Sequence, residues 1–339
     1  MDPGTASWSF FGIDDEGNVF LDEMLPATPD KLTEMLFLIE NNSFVDGIGA
    51  PSGYGLPLKK LDQLTAEDYF LLSLKPNEKP HLLRKFLEGM KGLVNCPCYL
   101  LPGVKHLSTV PSWKKINKID LGTADKLCAT IWSLEHLSRE LDVNWSDLSF
   151  IHVELGFAFN AFISVKKGKI SGGIGGSCAS SGFLSGGYLD AEVAYLLGKD
   201  LSKSTVFSGG ARINGVKTPS ELWKADNDRW KAYIEGILVD VTRIDPKGQI
   251  KTVCLSGRFL EDKLLVNCLK NELEGLGRKI YLIMVEGKAS TAARGSAVLV
   301  NGLLGGNYSS LVTLLELTKA SGSVLDFIDY PIKSLDETR

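Results

Sequence analysis

One supersecondary pattern occurs twice in this sequence, and it constrains the fold more than any other feature. The stretch "LSFIHVELGFAFNAFISVKKGKISGGI" (148–174) predicts a strand, a turn with an acid and a glycine at Glu154 and Gly156, and then a hairpin of two strands. The stretch "MDPGTASWSFFGIDDEGNVFLDEM" (1–24) has the same order after its first residue, with Asp2 and Gly4 in the turn. Two copies about 150 residues apart indicate a duplicated protein with two lobes.

The two copies differ in the strand that comes before the turn. "LSFIHV" stands before Glu154, whereas only Met1 stands before Asp2. Either Met1 is an internal residue of a longer reading frame, which we favour, or the first strand is absent. In the second case we expect Asp2 to be poorly held and the first sheet to begin at an unpaired edge.

The composition excludes several classes of protein. The chain has 339 residues, 44% of them apolar and 23% charged, which is typical of a folded protein with two domains. The net charge of -4 provides no basic surface for nucleic acid or anionic lipid, and no apolar run reaches the roughly 18 residues of a membrane span. Six cysteines without a paired spacing are typical of free thiols, so we expect a cytoplasmic protein with neither nucleic-acid nor membrane partners.

Strand and helix patterns alternate through both halves of the chain, which predicts an α/β fold. Polar residues 142–147 come directly before the second copy of the repeat. We therefore predict two domains, residues 1–145 and residues 146–339.

Both acid-and-glycine turns offer groups that bind a phosphate. Gly4 and Thr5 supply backbone N–H groups, Gly4 lets a phosphate approach the main chain, and the carboxylate of Asp2 suits magnesium. Glu154 and Gly156 repeat this arrangement in the second half. Asp-Pro-Gly is also an ordinary turn sequence, and it is the second copy that favours a phosphate loop.

Two further turns with glycine follow predicted strands in the second half. "GGIGGSCASSGFLSGG" (172–187) has seven glycines in sixteen residues, and the apolar residues among them favour a folded loop around an anion, with Gly175 and Gly176 as candidates, over a flexible linker. In "LSGRF" (255–259), Ser256 and Gly257 predict a tight turn, and Arg258 suits a phosphate. A plain connection between strand and helix is the alternative.

Two loops of the first half are candidates for the acceptor site. "PSGYGLP" (51–57) follows a predicted strand, and its residues Ser52, Gly53 and Tyr54 form a shaped loop that suits a ligand. In "PSWKKINKIDLGTADK" (111–126), Lys118 suits a transferred phosphate and Asp120 suits a general base or a metal ligand. The alternative for the second loop is an N-capped amphipathic helix that basic residues precede in the chain.

Taken together, these motifs resemble the acetate/sugar kinase–Hsp70–actin superfamily. The strings "PSGYGLP" and "IDLGTADK" are similar to those of an uncharacterised archaeal family of butyrate-kinase-like proteins, and the resemblance covers nearly the whole chain. It implies two ribonuclease-H-like lobes with mixed five-stranded sheets, which close on ATP and magnesium. It also implies that the first lobe carries the acceptor site and the second lobe the nucleotide site.

By this resemblance, residues 2–5 form the first phosphate loop, residues 154–156 the second, and residues 256–258 the turn beside the adenosine. The sequence departs from the superfamily pattern in three places. Glutamate replaces the usual aspartate in the second loop, no serine or threonine stands beside its glycine, and "SGR" replaces a double glycine.

The sequence therefore predicts an ATP-dependent phosphotransferase that acts on a small carboxylate, as butyrate kinase and acetate kinase do. Asp2 and Glu154 are expected to hold magnesium, and Lys118 or Arg258 to neutralise developing charge, with Asp120 as a base. The alternative is a nucleotide-binding sensor or assembly protein of the same fold with weak hydrolysis or none. The sequence does not fix the oligomeric state, and a homodimer is one of the states that it allows.

Overall fold

The computed structural model describes residues 1–4, 6–42, 44–75 and 82–331 of the chain. The chain divides into two compact units. Unit 1 consists of residues 1–119, 123–141 and 285–339, and unit 2 consists of residues 120–122 and 142–284.

Unit 1 contains six strands and six α-helices in the part of the chain that the structure describes. Its strands are β1 (Asp2–Pro3), β2 (Ser7–Ile13), β3 (Val19–Pro26), β4 (Ile48–Ala50), β5 (Lys59–Lys60) and β6 (Cys98–Leu100). Its helices are α1 (Leu32–Asn41), α2 (Ala66–Ser73), α3 (Leu82–Met90), α4 (Ala124–Leu141), α9 (Thr291–Leu303) and α10 (Ser309–Leu314).

Unit 2 is built from one sheet and four α-helices. Its strands are β7 (Phe150–Leu155), β8 (Asn160–Lys166), β9 (Lys169–Ile174), β10 (Thr252–Ser256) and β11 (Lys279–Leu282). Its helices are α5 (Ala191–Leu197), α6 (Pro219–Ala225), α7 (Asn227–Ile244) and α8 (Lys263–Gly275). Among the described residues of both units, no helix has the length and apolar character needed to cross a membrane.

The sheet of unit 2 is mixed and has five strands in the order β11-β10-β7-β8-β9. β7 pairs in parallel with β10 and antiparallel with β8, so it lies at the centre of the sheet. Its apolar residues Phe150, Ile151, Val153 and Leu155 are buried because helices cover the sheet. Tyr233 and Ile237 of α7 and Leu269 of α8 belong to the core that includes Ile151, Val153 and Leu155. This arrangement confirms the predicted α/β class and the mixed five-stranded sheet of this unit.

Five strands of unit 1, β1 to β4 and β6, have the directions of the five strands of unit 2, and β5 is an additional strand antiparallel to β6. The strands of unit 1 are divided between two sheets. One sheet has the order β1-β2-β3 and the other β4-β6-β5. The expectation of one five-stranded sheet is therefore not met here, because β1 has two residues where its counterpart β7 has six. The main-chain nitrogen of Met1 donates a hydrogen bond to the carbonyl of Gly49 over 3.0 Å, which is the contact between the two sheets at this point.

The two predicted copies have the same register. In each turn the acid pairs with the residue seven positions later, which is Ser9 in β2 and Ala161 in β8. Each following hairpin also has a β-bulge at the same place, after Gly12 in the first copy and after Ser164 in the second. A bulge changes the register locally and is not placed by chance, so the structure supports the internal duplication.

The two compact units divide the chain differently from the predicted domains, residues 1–145 and 146–339, at the C-terminal end. Residues 285–339 belong to unit 1, although they follow unit 2 in the chain. The reason is that α9 packs against α4 at close range: a Cβ atom on Gly295 would lie 1.8 Å from the carbonyl oxygen of Cys128. The absence of a side chain at Gly295 is what lets the two helix backbones approach.

We expect the substitution Gly295→Ala to destabilise the protein by about 3 kcal/mol, because the added methyl group forces α9 away from α4. The measurement is the midpoint of urea unfolding. Gly275→Ala is the matched control, since this helical glycine in α8 has no atom within 4 Å of its Cβ position. That control should be neutral or slightly stabilising. Equal midpoints for the two variants would contradict the proposed close packing.

Candidate functional site

The predicted second phosphate loop and the "SGR" turn lie side by side in unit 2. Glu154 and Ser256 are Cα partners at the carboxyl ends of the parallel strands β7 and β10. Gly257 has φ +98°, and a Cβ atom there would lie 2.7 Å from the carbonyl oxygen of Leu155. Because parallel strands bind ligands at their carboxyl ends, these two turns form one edge of a candidate site.

The turn after Glu154 is closed by a short hydrogen-bonded loop. The N–H of Gly156 donates to the carbonyl of Phe159 over 3.1 Å. A Cβ atom on Gly156 would lie 2.5 Å from that carbonyl oxygen, and one on Gly176 would lie 2.4 Å from the Cβ of Phe159. Phe159 therefore connects the second phosphate loop to the glycine-rich segment 172–187.

The glycine-rich segment is folded, as predicted, and Asp120 anchors its first turn. One carboxylate oxygen of Asp120 accepts hydrogen bonds from both the N–H and the hydroxyl of Ser177, each over 3.0 Å, and the other accepts the N–H of Gly122 over 3.1 Å. The N–H of Gly175 donates to the carbonyl of Asp120 over 3.1 Å. Asp120 is buried, so these contacts make it part of the framework that shapes residues 175–177.

A second buried carboxylate holds the middle of the same segment. Asp240 of α7 accepts the N–H of Ser180 over 2.5 Å and its hydroxyl over 2.9 Å, and it forms an ion pair with Arg243. Burial raises the pKa of Asp240, which the hydrogen bonds from Ser180 and the charge of Arg243 oppose. The segment is thus tied to unit 2 at two points, which excludes the flexible linker.

Two arginines lie beside the second phosphate loop, around the ring of Phe157. The guanidinium carbon of Arg258 is 5.6 Å from the ring centroid, and that of Arg212 is 5.7 Å from it. Neither guanidinium forms an ion pair with a carboxylate among the residues that the structure describes. The sequence prediction included Arg258 and missed Arg212, whose setting in "SGGARING" (208–215) was the available signal.

The first phosphate loop lies in unit 1, near the start of α9. The carboxylate of Asp2 accepts a hydrogen bond from the hydroxyl of Ser290 over 2.6 Å, and Ser290 is the N-cap residue of α9. A Cβ atom on Gly4 would lie 2.7 Å from the carbonyl oxygen of Ser7, which repeats the geometry of Gly156. Thr5, the third residue predicted for this loop, lies outside the described residues.

The predicted acceptor loop follows β4 in the same unit. The hydroxyl of Ser52 donates to the carbonyl of Ala50 over 2.7 Å and accepts the N–H of Leu101 over 2.8 Å, so this buried side chain joins the ends of β4 and β6. Gly53 has φ +50° and no room for a side chain beside the carbonyl of Leu72. Tyr54 is half-buried beside them and packs against the core of unit 1.

The two residues predicted for catalysis in "INKIDLG" belong to different units. Lys118 is in unit 1, where its side chain is exposed and its carbonyl accepts a hydrogen bond from the ammonium group of Lys105 over 2.6 Å. Asp120 is in unit 2. The structure therefore brings Asp120, Gly156, Gly175 and Gly176 into one connected framework, and it does not place Lys118 in that framework.

Buried groups also shape the loop after β6, which packs beside the acceptor loop. The imidazole Nδ1 of His106 accepts the N–H of Gly103 over 3.2 Å, and the side chain is almost fully buried. Burial lowers the pKa of His106 to about 4, and the nearby charges of Lys115 and Lys105 lower it further, whereas Asp326 opposes them. His106 is therefore neutral at physiological pH.

The donor set fits magnesium in part. The described residues contain no group of three or more His, Cys, Asp or Glu side chains that would form a complete protein site for a metal. Magnesium bound with a nucleotide needs one or two carboxylates, because phosphates and water supply its other ligands. Asp2 is the first residue of the two-residue strand β1, and Glu154 lies one residue before the end of β7. Each carboxylate suits that smaller role.

The chain belongs to the DUF1464 family, described as "Protein of unknown function (DUF1464)". The family model matches residues 1–330. A search of the curated proteins finds no sequence that matches this one.

Solved structures resemble this DUF1464 protein in fold. A propionate kinase from Francisella tularensis has a TM-score of 0.61 and 14% identity, over 87% of this chain and 97% of that one. Acetate kinases from Entamoeba histolytica and Porphyromonas gingivalis have TM-scores of 0.58 and 0.57, with 12% and 13% identity, over 80% and 81% of this chain and 87% and 86% of theirs. The DUF1464 chain therefore shares the fold of these kinases, which confirms the predicted fold class.

If Asp120 anchors the glycine-rich segment, Asp120→Asn should destabilise the protein by about 2 kcal/mol, because an amide nitrogen cannot accept the hydrogen bonds that a carboxylate oxygen accepts. Ser177→Ala removes one of those donors and should cost about 1 kcal/mol. Hydrogen exchange should become faster at residues 175–177 in both variants. Ser149→Ala, which removes a side-chain acceptor elsewhere in unit 2, should leave that exchange unchanged. Unchanged exchange in Asp120→Asn would contradict the anchoring role.

The buried neutral state of His106 predicts a loss of stability in acid. Its pKa is about 4 in the folded protein and about 6.5 when unfolded, so the unfolded chain binds more protons between these values. The stabilisation is complete above pH 6.5 and falls by about 2 kcal/mol at pH 5. We expect His106→Asn, whose amide oxygen can still accept the N–H of Gly103, to reduce the change in melting temperature between pH 7.5 and pH 5. His136→Gln on α4, where the side chain is partly exposed, is the control. An equal reduction in both variants would contradict the assignment.

Proposed function

We propose that this protein is an ATP-dependent phosphotransferase that transfers the γ-phosphoryl group to a small carboxylate, as acetate, propionate and butyrate kinases do. The observation that carries the proposal is the repeated acid-and-glycine turn, which has the same register and the same tight glycine in both units. The likeness of the whole chain in fold to propionate and acetate kinases also supports the proposal.

We assign the nucleotide phosphates to the edge of unit 2 formed by Gly156, Gly257 and the first turn of the glycine-rich segment, with Gly175 and Gly176. The absence of side chains at these glycines lets phosphate oxygens approach the backbone closely. The N–H groups of Gly156 and Gly175 themselves donate to the carbonyls of Phe159 and Asp120, and so hold the shape of this edge. The guanidinium groups of Arg258 and Arg212 supply positive charge beside that edge. Phosphoryl transfer needs such charge because the transferred group is negative in its transition state.

We assign magnesium to Asp2 of β1 and Glu154 of β7, each of which would contribute one carboxylate. When bound, the metal neutralises charge on the phosphates and orients them. Ser290 holds the carboxylate of Asp2 in place by its 2.6 Å hydrogen bond.

The reaction forms a bond between an acceptor carboxylate oxygen and the γ-phosphorus, and it breaks the bond between that phosphorus and the oxygen bridging to the β-phosphate. The products are an acyl phosphate and ADP. We assign the acceptor to the loop of Gly53 and Tyr54, since the hydroxyl of Ser52 is already used in joining β4 to β6. A carboxylate is a nucleophile without loss of a proton, so no general base is required.

The contacts of Asp120 favour a positioning role over the predicted role as a base. Its carboxylate accepts three hydrogen bonds from Ser177 and Gly122, and it is buried. It would act by holding Gly175 and Gly176 in the shape that receives a phosphate. Lys118 remains a candidate for neutralising charge on the transferred group, on the strength of its exposed ammonium group.

The test is to incubate the full chain with ATP, magnesium and a series of short acids from acetate to butyrate. Acyl phosphate is trapped with hydroxylamine, and ADP is measured in parallel. We expect both products in equal amounts with one or more acids, and neither without magnesium. ADP without acyl phosphate for every acid would contradict a carboxylate acceptor.

Variants separate binding from transfer. Arg258→Ala should weaken ATP binding roughly 10-fold to 100-fold, because a charge-assisted hydrogen bond contributes about 1.5–3 kcal/mol. Arg139→Ala is the matched control, since Arg139 on α4 is also an exposed arginine near an aromatic ring but belongs to unit 1, outside the proposed nucleotide edge of unit 2. Glu154→Gln should lower turnover more than ATP affinity. Equal affinities for the Arg258 variant and the control would contradict the proposed nucleotide site.

Binding without turnover would favour the alternative, a nucleotide-binding sensor or assembly protein of this fold. Titration calorimetry with ATP and magnesium distinguishes the two outcomes. Whether the protein forms a homodimer stays a prediction, for which sedimentation gives the measurement.

A further inference from the structure

A histidine lies buried in the central strand of unit 2, two residues before Glu154. The side chain of His152 in β7 has an exposed fraction of 0%. Successive side chains of a strand point to opposite faces of a sheet, so His152 and Glu154 share one face, whereas Val153 belongs to the core on the other face. The proposed reaction gives His152 no role.

The residues beside His152 in the neighbouring strands are not acidic. Its Cα partner in β8 is Ile163, and its Cα partner in β10 is Cys254, and both are fully buried. Along β7, the carboxylate on the same face is that of Glu154, whose Oε2 lies 3.8 Å from the Nε2 of His152. This distance allows electrostatic attraction, and a shift of about 0.5–1 Å would turn the contact into a hydrogen bond.

The two copies of the repeat hold their acids through different side chains. The carboxylate of Asp2 accepts a hydrogen bond from the hydroxyl of Ser290 over 2.6 Å. Glu154 has the same position in the register with a side chain that is one methylene longer. Because a longer side chain has more rotamers, its carboxylate depends more on a neighbouring group that fixes its direction. The imidazole of His152, which the sheet encloses, is such a group.

We propose that His152 is a positioning residue, whose Nε2–H attracts Oε2 of Glu154 and so fixes the direction of the carboxylate that we assign to magnesium. This role rests on the proposed function, because it uses the assignment of magnesium to Glu154. Loss of a group that orients a metal-binding side chain commonly weakens metal binding by about 10-fold to 100-fold.

The test uses the geometry of the two ring nitrogens. The amide nitrogen of a glutamine can occupy the position of Nε2, whereas that of an asparagine reaches only as far as Nδ1. His152→Gln should therefore keep the contact with Glu154, and His152→Asn should lose it. Ile163→Ala is the control for packing, since it removes apolar volume from the Cα partner of His152 on the same face of the sheet.

Mn²⁺ stands in for magnesium, and its binding is measured from its electron paramagnetic resonance signal with a non-hydrolysable ATP analogue, so that turnover plays no part. We expect His152→Asn to weaken Mn²⁺ binding about 10-fold or more, and His152→Gln to stay within about 3-fold of the unchanged chain. The affinity for the analogue without metal should be the same in both variants.

A second measurement needs no variant of His152. The chain has four histidines, so the resonances of their ring nitrogens can be assigned by nuclear magnetic resonance. Glu154→Gln should shift the Nε2 resonance of His152 and leave those of His106 and His136 unchanged. An unchanged His152 resonance would overturn the proposed contact.

The positioning role is wrong if His152→Asn binds Mn²⁺ as tightly as His152→Gln does, or if Ile163→Ala weakens the binding as much as His152→Asn. If the unchanged chain binds the analogue without Mn²⁺, the assignment of magnesium to Glu154 fails and the positioning role fails with it. Normal Mn²⁺ binding without formation of an acyl phosphate contradicts the transfer reaction alone.

Discussion

The hydrogen bond from the N–H of Gly156 to the carbonyl of Phe159 determines the layout of the proposed nucleotide edge of unit 2. It closes the turn so tightly that a Cβ atom on Gly156 would lie 2.5 Å from the accepting oxygen. The turn leaves Glu154 at the carboxyl end of a central strand and brings Phe159 against Gly176. The tight turn at Gly156 thus places Phe159 between the end of β7 and the glycine-rich segment.

Buried carboxylates then hold that segment in shape. Asp120 contacts the first turn of the segment and Asp240 contacts its middle. Asp120 accepts hydrogen bonds from the N–H and the hydroxyl of Ser177, and Asp240 accepts the same pair of hydrogen bonds from Ser180. Hydrogen bonds to a charged acceptor are stronger than those between neutral groups, so the two contacts preorganise a loop that glycines alone would leave mobile. A preorganised backbone is what a phosphate site needs, which supports the proposed function.

Much of the fold was predictable because its signals are local. Alternating apolar residues and turn glycines identified both hairpins, and the shared spacing of acid and glycine identified the repeat before any contact was known. Other features were not predictable. Arg212 reaches the ring of Phe157 from a loop more than fifty residues away in the chain, and no local pattern relates the two.

The sequence by itself determined the repeated turn, the α/β class and the glycine positions, because each depends on residues within a few positions of one another. The tertiary structure decided that α9 packs on α4 and so belongs to unit 1. It also decided that Asp120 accepts hydrogen bonds from Ser177 and holds the surrounding loop, and that the strands of unit 1 are divided between two sheets. The physical reason is that an apolar helix face or a buried carboxylate is satisfied by any suitable partner in the folded chain, however distant in sequence. Which partner each group contacts depends on the tertiary packing of the whole chain, and this packing forms only when the chain folds.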